Sequence, residues 1–189
     1  VRRGPSTLGA TVLVRSSGPT GLGVLQAVRA GGAQATIVTD LSPARRAAAA
    51  TLGATAVVDP VSGDLRAAVR DITRQGVDIV FDTTASSVAF NQGIALVRPR
   101  GTIVSVAGWQ EQARVDMGRA MVNEIDIRYS MTYEPETDFP ATLAMLAGGG
   151  FDTATMISDD IPLDRLVDDG LEELLHHADQ HIKILVDPT

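Results

Sequence analysis

Apolar, β-branched runs of four to six residues alternate along this chain with Ala- and Leu-rich stretches of helical length, the pattern of βαβ units and a parallel sheet. Thr11-Val12-Leu13-Val14 predicts the first strand, and Leu22, Leu25 and Val28 line one face of a helix that Gly31-Gly32 ends. Thr36 to Thr39 is the second strand. The next helix is punctuated by Ser42 as cap, Pro43 in its first turn and Gly53 at its end. Ala56-Val57-Val58 predicts a brief third strand, followed by a helix from Leu65 to Thr73. Val77 to Asp82, the fourth strand, is apolar almost throughout, as suits burial on both faces. A helix over Val88 to Val97 leads to a fifth strand, Gly101 to Val106. The alternation Ile125-Asp126-Ile127-Arg128-Tyr129 predicts a more exposed sixth. The expected fold is α/β, a doubly wound parallel sheet of six strands in the order 3-2-1-4-5-6.

The character changes after Ala147. Gly148-Gly149-Gly150 interrupts the pattern, and the remainder predicts one amphipathic helix and one strand, Ile182 to Val186. The helix stripe is Leu163, Leu166, Val167, Leu171, Leu174 and Leu175. One helix and one strand bury little by themselves. The expectation is therefore a nucleotide-binding unit over 1–147 and a C-terminal segment, 148–189, that packs on something else.

With 189 residues, the chain is long enough for one domain with a substantial core plus an appendage. No apolar run approaches the roughly 18 residues a membrane span requires, and no signal-type apolar region follows Val1 to Pro5. The absence of cysteine excludes disulfides and thiolate chemistry, and fits a cytoplasmic setting. A net charge of −7 argues against nucleic acid as a partner.

The chemistry gathers between the first strand and first helix, in Ser16-Ser17-Gly18-Pro19-Thr20-Gly21. The dinucleotide fingerprint of the Rossmann fold wants glycine at three marked positions there. The first allows a tight turn, the second admits the pyrophosphate to the backbone, and the third lets helix and strand pack closely. Gly18 and Gly21 fill the second and third positions, and Ser16 stands at the first. The helix start would aim its free N–H groups at the diphosphate. Asp40 ends the second strand, where an acid accepts hydrogen bonds from the adenosine ribose and repels a 2′-phosphate, favouring NAD over NADP. Arg45 and Arg46 are the residues that keep NADP in view.

These residues resemble the medium-chain dehydrogenase/reductase family, in its zinc-dependent alcohol and polyol branch near butanediol and sorbitol dehydrogenases. The likeness runs through Gly18-Pro19-Thr20-Gly21, Asp40, Ala44-Arg45-Arg46, Leu52-Gly53-Ala54, Gly76-Val77-Asp78, Phe81-Asp82 and Arg98-Pro99-Arg100-Gly101. The tail His181-Ile182-Lys183-Ile184-Leu185-Val186 also resembles that branch. The resemblance implies hydride transfer between NAD and an alcohol or ketone, with zinc held by a catalytic domain preceding this stretch. It implies that Gly18, Pro19, Thr20 and Gly21 hold the pyrophosphate and Asp40 the ribose. Arg45 would flank the adenine, Thr83 and Thr84 would line the cleft, and Val106 and Ala107 would stand beside the nicotinamide. The sixth strand resembles the family's subunit-pairing edge, which implies a homo-oligomer. Ser16 and Arg15 depart from the family pattern. A serine at a position that needs positive φ carries strain of about 1 kcal/mol, from which weakened NAD affinity is expected.

Other readings carry less. His176, His177 and His181 lack metal-ligand spacing and are expected at a solvated helix end. Asp159 and Asp160 precede Pro162, where acids suit a helix start. Trp109 is expected as a cleft wall or a half-exposed loop aromatic. The serines lack a hydrolase constellation. Two alternatives remain open at this stage: a stand-alone NAD-sensing or scaffold domain, and a zinc-free NADPH quinone-reductase relative, which Asp40 disfavours.

Overall fold

All five residues of β1 (Thr11–Arg15) are buried, because this strand runs through the middle of a parallel sheet covered by helices on both faces. The structure is a computed structural model and describes residues 1–188. The remaining strands of the sheet are β2 (Ala35–Thr39), β3 (Ala56–Val58), β4 (Val77–Asp82), β5 (Val97–Ser105) and β6 (Asp126–Tyr129). All neighbours pair in parallel and the spatial order is β3-β2-β1-β4-β5-β6, the Rossmann order expected from the pattern.

Alternate strand residues point to opposite faces, so the sheet builds two cores. On one face Val12, Val14, Ile79 and Phe81 meet Leu22, Leu25 and Val28 of α1 (Pro19–Ala30). On the other, Leu13, Ile37, Val80 and Ile103 meet Val69 of α3 (Leu65–Ile72) and Phe90 and Ile94 of α4 (Ser87–Leu96). Burying a Leu or Ile this completely contributes about 1.5–3 kcal/mol. On the α1 face α2 (Pro43–Thr51) adds Ala48 and Ala49 and begins as expected: the Ser42 hydroxyl accepts the Arg45 N–H at 3.2 Å. Gly53, just past its end, has φ +82°.

Two helices lie outside the sequence expectation, α5 (Met117–Val122) and α6 (Asp138–Ala147). The larger correction concerns the C-terminal segment. Asp159 and Asp160 are not a helix start. They belong to a strand, β7 (Asp159–Pro162), which pairs in parallel with β8 (Ile184–Asp187). The expected single helix is a 3₁₀ turn (Leu163–Arg165), a π turn (Leu166–Glu172) and a short α7 (Glu173–His176). Gly170 is buried there, and a Cβ on it would lie 3.1 Å from the Ile161 side chain. The closeness of β7 to this turn thus rests on a residue without a side chain.

The segment is tied to α1 and α2 by polar contacts. Gln26 on α1 exchanges two hydrogen bonds with the Asp152 backbone, at 2.5 and 3.2 Å. Arg45 on α2 donates to the carbonyls of Ala178 and His181. His181 also departs from the solvated helix end expected of it. Its side chain is 16% exposed, with Nδ1 2.9 Å from Asp159 and Nε2 3.3 Å from Glu173. Strand pairing carries it inward, whereas His176 stays exposed beside Glu172.

Candidate functional site

The sheet changes its direction of winding between β1 and β4, which opens a crevice beyond the carboxyl ends of those two strands. The chain leaves β1 into Ser16, whose φ is +79°. The first fingerprint position is therefore the left-handed one that favours glycine, as anticipated. Serine there also acts positively: its hydroxyl donates to Asp40 Oδ2 at 3.1 Å and accepts from the Gly18 N–H at 3.4 Å. These contacts offset strain of about 1 kcal/mol.

Gly18 and Gly21 carry the two other glycine roles. A Cβ on Gly18 would meet nothing closer than 4.0 Å, so the backbone there faces open space that a ligand can enter. A Cβ on Gly21 would sit 1.9 Å from the Ser16 carbonyl oxygen, so strand and helix approach too closely for any side chain. Gly18 caps α1 without a side-chain hydrogen bond, and Pro19 fills the first helical position. The N–H groups of Thr20 and Gly21, in the first turn, have no carbonyl four residues earlier within the helix and suit an anion. Thr20 itself lines a second cavity of about 460 Å³, with Val1, Gly23, Ser130, Thr132 and Met145.

Asp40 is 7% exposed and organises the loop. Oδ2 accepts from the Ser17 N–H at 2.6 Å and from Ser16 Oγ, while Oδ1 accepts from the Ser42 N–H at 2.9 Å. A carboxylate offers about four acceptor positions. Three hydrogen bonds leave room for one from a ligand hydroxyl. Asp40 also lines a cleft of about 650 Å³, together with Ser16, Arg45, Thr83 and Thr84. Thr83 is positioned by the end of β1: its N–H and its hydroxyl both donate to the Arg15 carbonyl, at 3.2 and 2.8 Å.

Five expected residues are thus brought together around this cleft, with Gly18 beside it, 4.0 Å from an Arg45 nitrogen by its notional Cβ. Val106 and Ala107 stand at the end of β5 and are not among the residues lining it. Val106 donates its N–H to the Asp82 carbonyl at 2.8 Å and packs against the core of the α1 face. Trp109, next along, packs edge-on to Phe90 at 5.9 Å and donates to Ser105 Oγ at 3.0 Å.

The wall contributed by the loop after β3 and by the start of α4 was not foreseen. Pro60, Val61, Ser86, Val88, Ala89 and Gln92 come from segments that no fingerprint spacing reaches. Arg15 was noticed only as a departure. In the structure it is 2% exposed, lines the cleft, and donates through Nη2 to Gln92 Oε1 at 2.6 Å. Among the described residues Arg15 Nε and Nη1 find no hydrogen-bond partner, nor do Ser17 Oγ and Asp82 Oδ2. Burial lowers the pKa of Arg15, opposed by the charge of Asp82 on the adjoining strand. Burial likewise raises that of Asp82, opposed by hydrogen bonds from Thr84 and by the charge of Arg15. Each unpaired buried polar group costs roughly 1–3 kcal/mol. Of these three residues only Arg15 lines the cleft; Ser17 and Asp82 lie fully buried behind it.

No group of three or more His, Asp or Glu side chains among the described residues is arranged to hold a metal ion. No helix among them is long and apolar enough to cross a membrane.

The family described as zinc-binding dehydrogenase matches residues 19–148 of this chain. Over 189 residues the chain is 30% identical to a protein named (R,R)-butanediol dehydrogenase from Neisseria gonorrhoeae (strain ATCC 700825 / FA 1090), covering 99% of this chain and 52% of that protein. It is 32% identical to a sorbitol dehydrogenase from Bacillus subtilis (strain 168), covering 96% of this chain and 51% of the relative. The crystal structure of 2R,3R-butanediol dehydrogenase from Bacillus subtilis superposes with a TM-score of 0.91 at 31% identity, over 100% of this chain and 53% of that one. The chain therefore spans about half the length of the relatives it matches.

Proposed function

The chain belongs to the zinc-binding dehydrogenase family, and from that premise we propose that it is the NAD(H)-binding half of an alcohol or polyol dehydrogenase. The observation that carries the reading is the cleft at the switch between β1 and β4. It combines an open backbone at Gly18, the close approach at Gly21 and a carboxylate, Asp40, with one acceptor position to spare. In this reading the first turn of α1 faces the diphosphate, Asp40 takes a ribose hydroxyl, and Arg45 and Thr83 border the adenosine. Val106 and Ala107 flank the nicotinamide further along the sheet. The bound dinucleotide supplies hydride chemistry, and this half of the enzyme orients it. In this reading zinc and the alcohol or ketone substrate are held by a separate catalytic half of the enzyme.

The C-terminal segment supports the same reading. Leu163, Val167, Leu171, Leu174 and Leu175 are all more than two-fifths exposed, an apolar surface suited to packing on a catalytic half. At the other end, the outer edge of β6 is the last in the sheet order, with Tyr129 67% exposed. Pairing of two such edges would make a homo-oligomer. Sedimentation at micromolar concentration is expected to give a dimer mass, and a monomer at all concentrations would remove this part of the reading.

The test of the main proposal is calorimetric titration with NADH and NADPH, alongside quenching of Trp109, the single tryptophan. Saturable NADH binding with NADPH at least tenfold weaker is expected; absence of binding by either sinks the proposal. With zinc and an alcohol added, this chain is expected to produce no NADH, and turnover would contradict the assignment of catalysis to another segment. A Ser16→Gly variant removes strain at φ +79° and frees the Gly18 N–H. It is expected to bind NADH a few-fold more tightly, about the equivalent of 1 kcal/mol. Its melting temperature should change little, because the hydrogen bond to Asp40 is lost at the same time. Unchanged or weaker affinity would show that the serine does not weaken the site.

A further inference from the structure

The two arginines that follow β2 face different ways, and the consequence rests on the cofactor reading above. Arg46 does not line the cleft: it donates to the carbonyls of Asp40 and Leu41 and lies 3.5 Å from Asp59. Arg45 does line it, beside Ala178 and Asp179 of the turn between α7 and β8.

That turn fixes the Arg45 side chain. Nε and Nη2 both donate to the His181 carbonyl, at 3.1 and 3.0 Å, and Nη2 donates to the Ala178 carbonyl as well. The Ser42 hydroxyl adds a bond to the Asp179 carbonyl. The turn is anchored in its own right, because the His181 ring stands between Asp159 and Glu173.

A guanidinium is planar, so engaging Nε and Nη2 decides where the third nitrogen lies. Arg45 Nη1 stands 4.0 Å from the point that a Cβ on Gly18 would occupy. Among the described residues Nη1 makes no hydrogen bond, and unlike the unpartnered Arg15 nitrogens it is not closed off from solvent. The carbonyls that hold Arg45 are neutral and leave its charge uncancelled. A fixed cation with two N–H donors in hand, next to an open glycine backbone, suits a phosphate oxygen. Nε and Nη2, the donors that might turn to a 2′-phosphate, are taken by the turn.

We propose that Arg45, locked by the C-terminal turn, binds the diphosphate of the cofactor through Nη1. It then strengthens NADH and NADPH alike and does not select between them. The C-terminal segment becomes a positioning element of the cofactor site.

The experiment is calorimetry with NADH and NADPH, at low and high salt, on wild type, Arg45→Leu and Arg45→Gln. Both cofactors are expected to bind about tenfold more weakly to each variant, as for loss of one charge-assisted contact, with their ratio unchanged. Salt should weaken NADH binding more steeply in wild type than in the variants, because the lost contact is between charges. Thermal melts establish folding, and Arg45→Gln decides the matter if Arg45→Leu does not fold. A larger loss for NADPH than for NADH would assign Arg45 to the 2′-phosphate and overturn this inference alone. Wild-type affinity in the variants would overturn it too, as would an equal loss with unaltered salt dependence, the result expected of an arginine stacked on adenine or serving the turn only. Failure of the wild type to bind either dinucleotide overturns the cofactor reading and this inference with it.

Discussion

Replacing Gly21 by alanine is expected to abolish dinucleotide binding and to lower the melting temperature by roughly 10 °C. The added Cβ would lie 1.9 Å from the Ser16 carbonyl oxygen and 2.8 Å from its carbon. Both are backbone atoms, so no rotamer change relieves the clash, and α1 must move away from β1. Moving it opens the buried contacts of Leu22 and Leu25 against Val12 and Val14. Overpacking of this severity costs about 3 kcal/mol, and a chain of this size loses about 2–4 °C per kcal/mol. Gly18→Ala is the matched control, since its Cβ meets nothing within 4.0 Å. It should melt close to wild type and yet bind NADH at least tenfold more weakly, because in the proposed reading the methyl group fills the space that the diphosphate would take. Far-UV circular dichroism melts and calorimetry read both effects. A Gly21→Ala protein that melts like wild type would mean that α1 is not packed as closely as described.

The second large effect is expected from Asp40→Asn. The two side chains have the same shape, but the amide turns an acceptor into a donor. Whichever way it is placed, its NH₂ faces either the Ser42 N–H or the Ser17 N–H and the Ser16 hydroxyl, groups that now donate to the carboxylate at 2.6–3.1 Å. The loss of paired, charge-assisted bonds in a buried site should cost about 2 kcal/mol. NADH affinity should fall at least tenfold as the loop loosens and the ribose loses its acceptor. NADPH should fall less, because repulsion of the 2′-phosphate by the carboxylate is removed as well, so the proposed preference for NADH should narrow by about tenfold. Paired titrations with the two cofactors separate the roles. A loss of stability with an unchanged NADH to NADPH ratio would make Asp40 an organiser of the loop and not the residue that selects the cofactor.

Much of this architecture is written locally. Strands β3 and β4 occupy the residues their β-branched runs predict, and Ser42 caps α2 as its position before Pro43 indicates. Burial on both faces demands uninterrupted apolar runs, and a run of that kind has few other uses. The fingerprint glycines were legible for a similar reason: Gly21 sits where a side chain cannot fit, and Ser16 was suspect at a position that proves to have positive φ.

β7 was not legible, because Asp159-Asp160-Ile161-Pro162 has two acids, a proline and no alternation to mark a strand. It forms because β8 lies beside it in parallel register, with Asp160 opposite Leu185 and Ile161 opposite Val186. His181 is drawn between Asp159 and Glu173 by the same pairing. The three helical turns from Leu163 to His176 give up a regular α-helical stripe where the chain packs Gly170 against Ile161.

What the sequence alone determined is therefore the six strands of the sheet with the four helices joining the first five, the winding of that sheet and the place of the glycine-bearing loop after β1. Each follows from preferences expressed within a few neighbouring residues. Only the tertiary structure decided how Asp40 divides its oxygens between loop and cleft, and that Arg15 finds Gln92 from 77 residues away. Such pairings depend on distances set by the packing of whole strands and helices, and no periodicity along the chain records them.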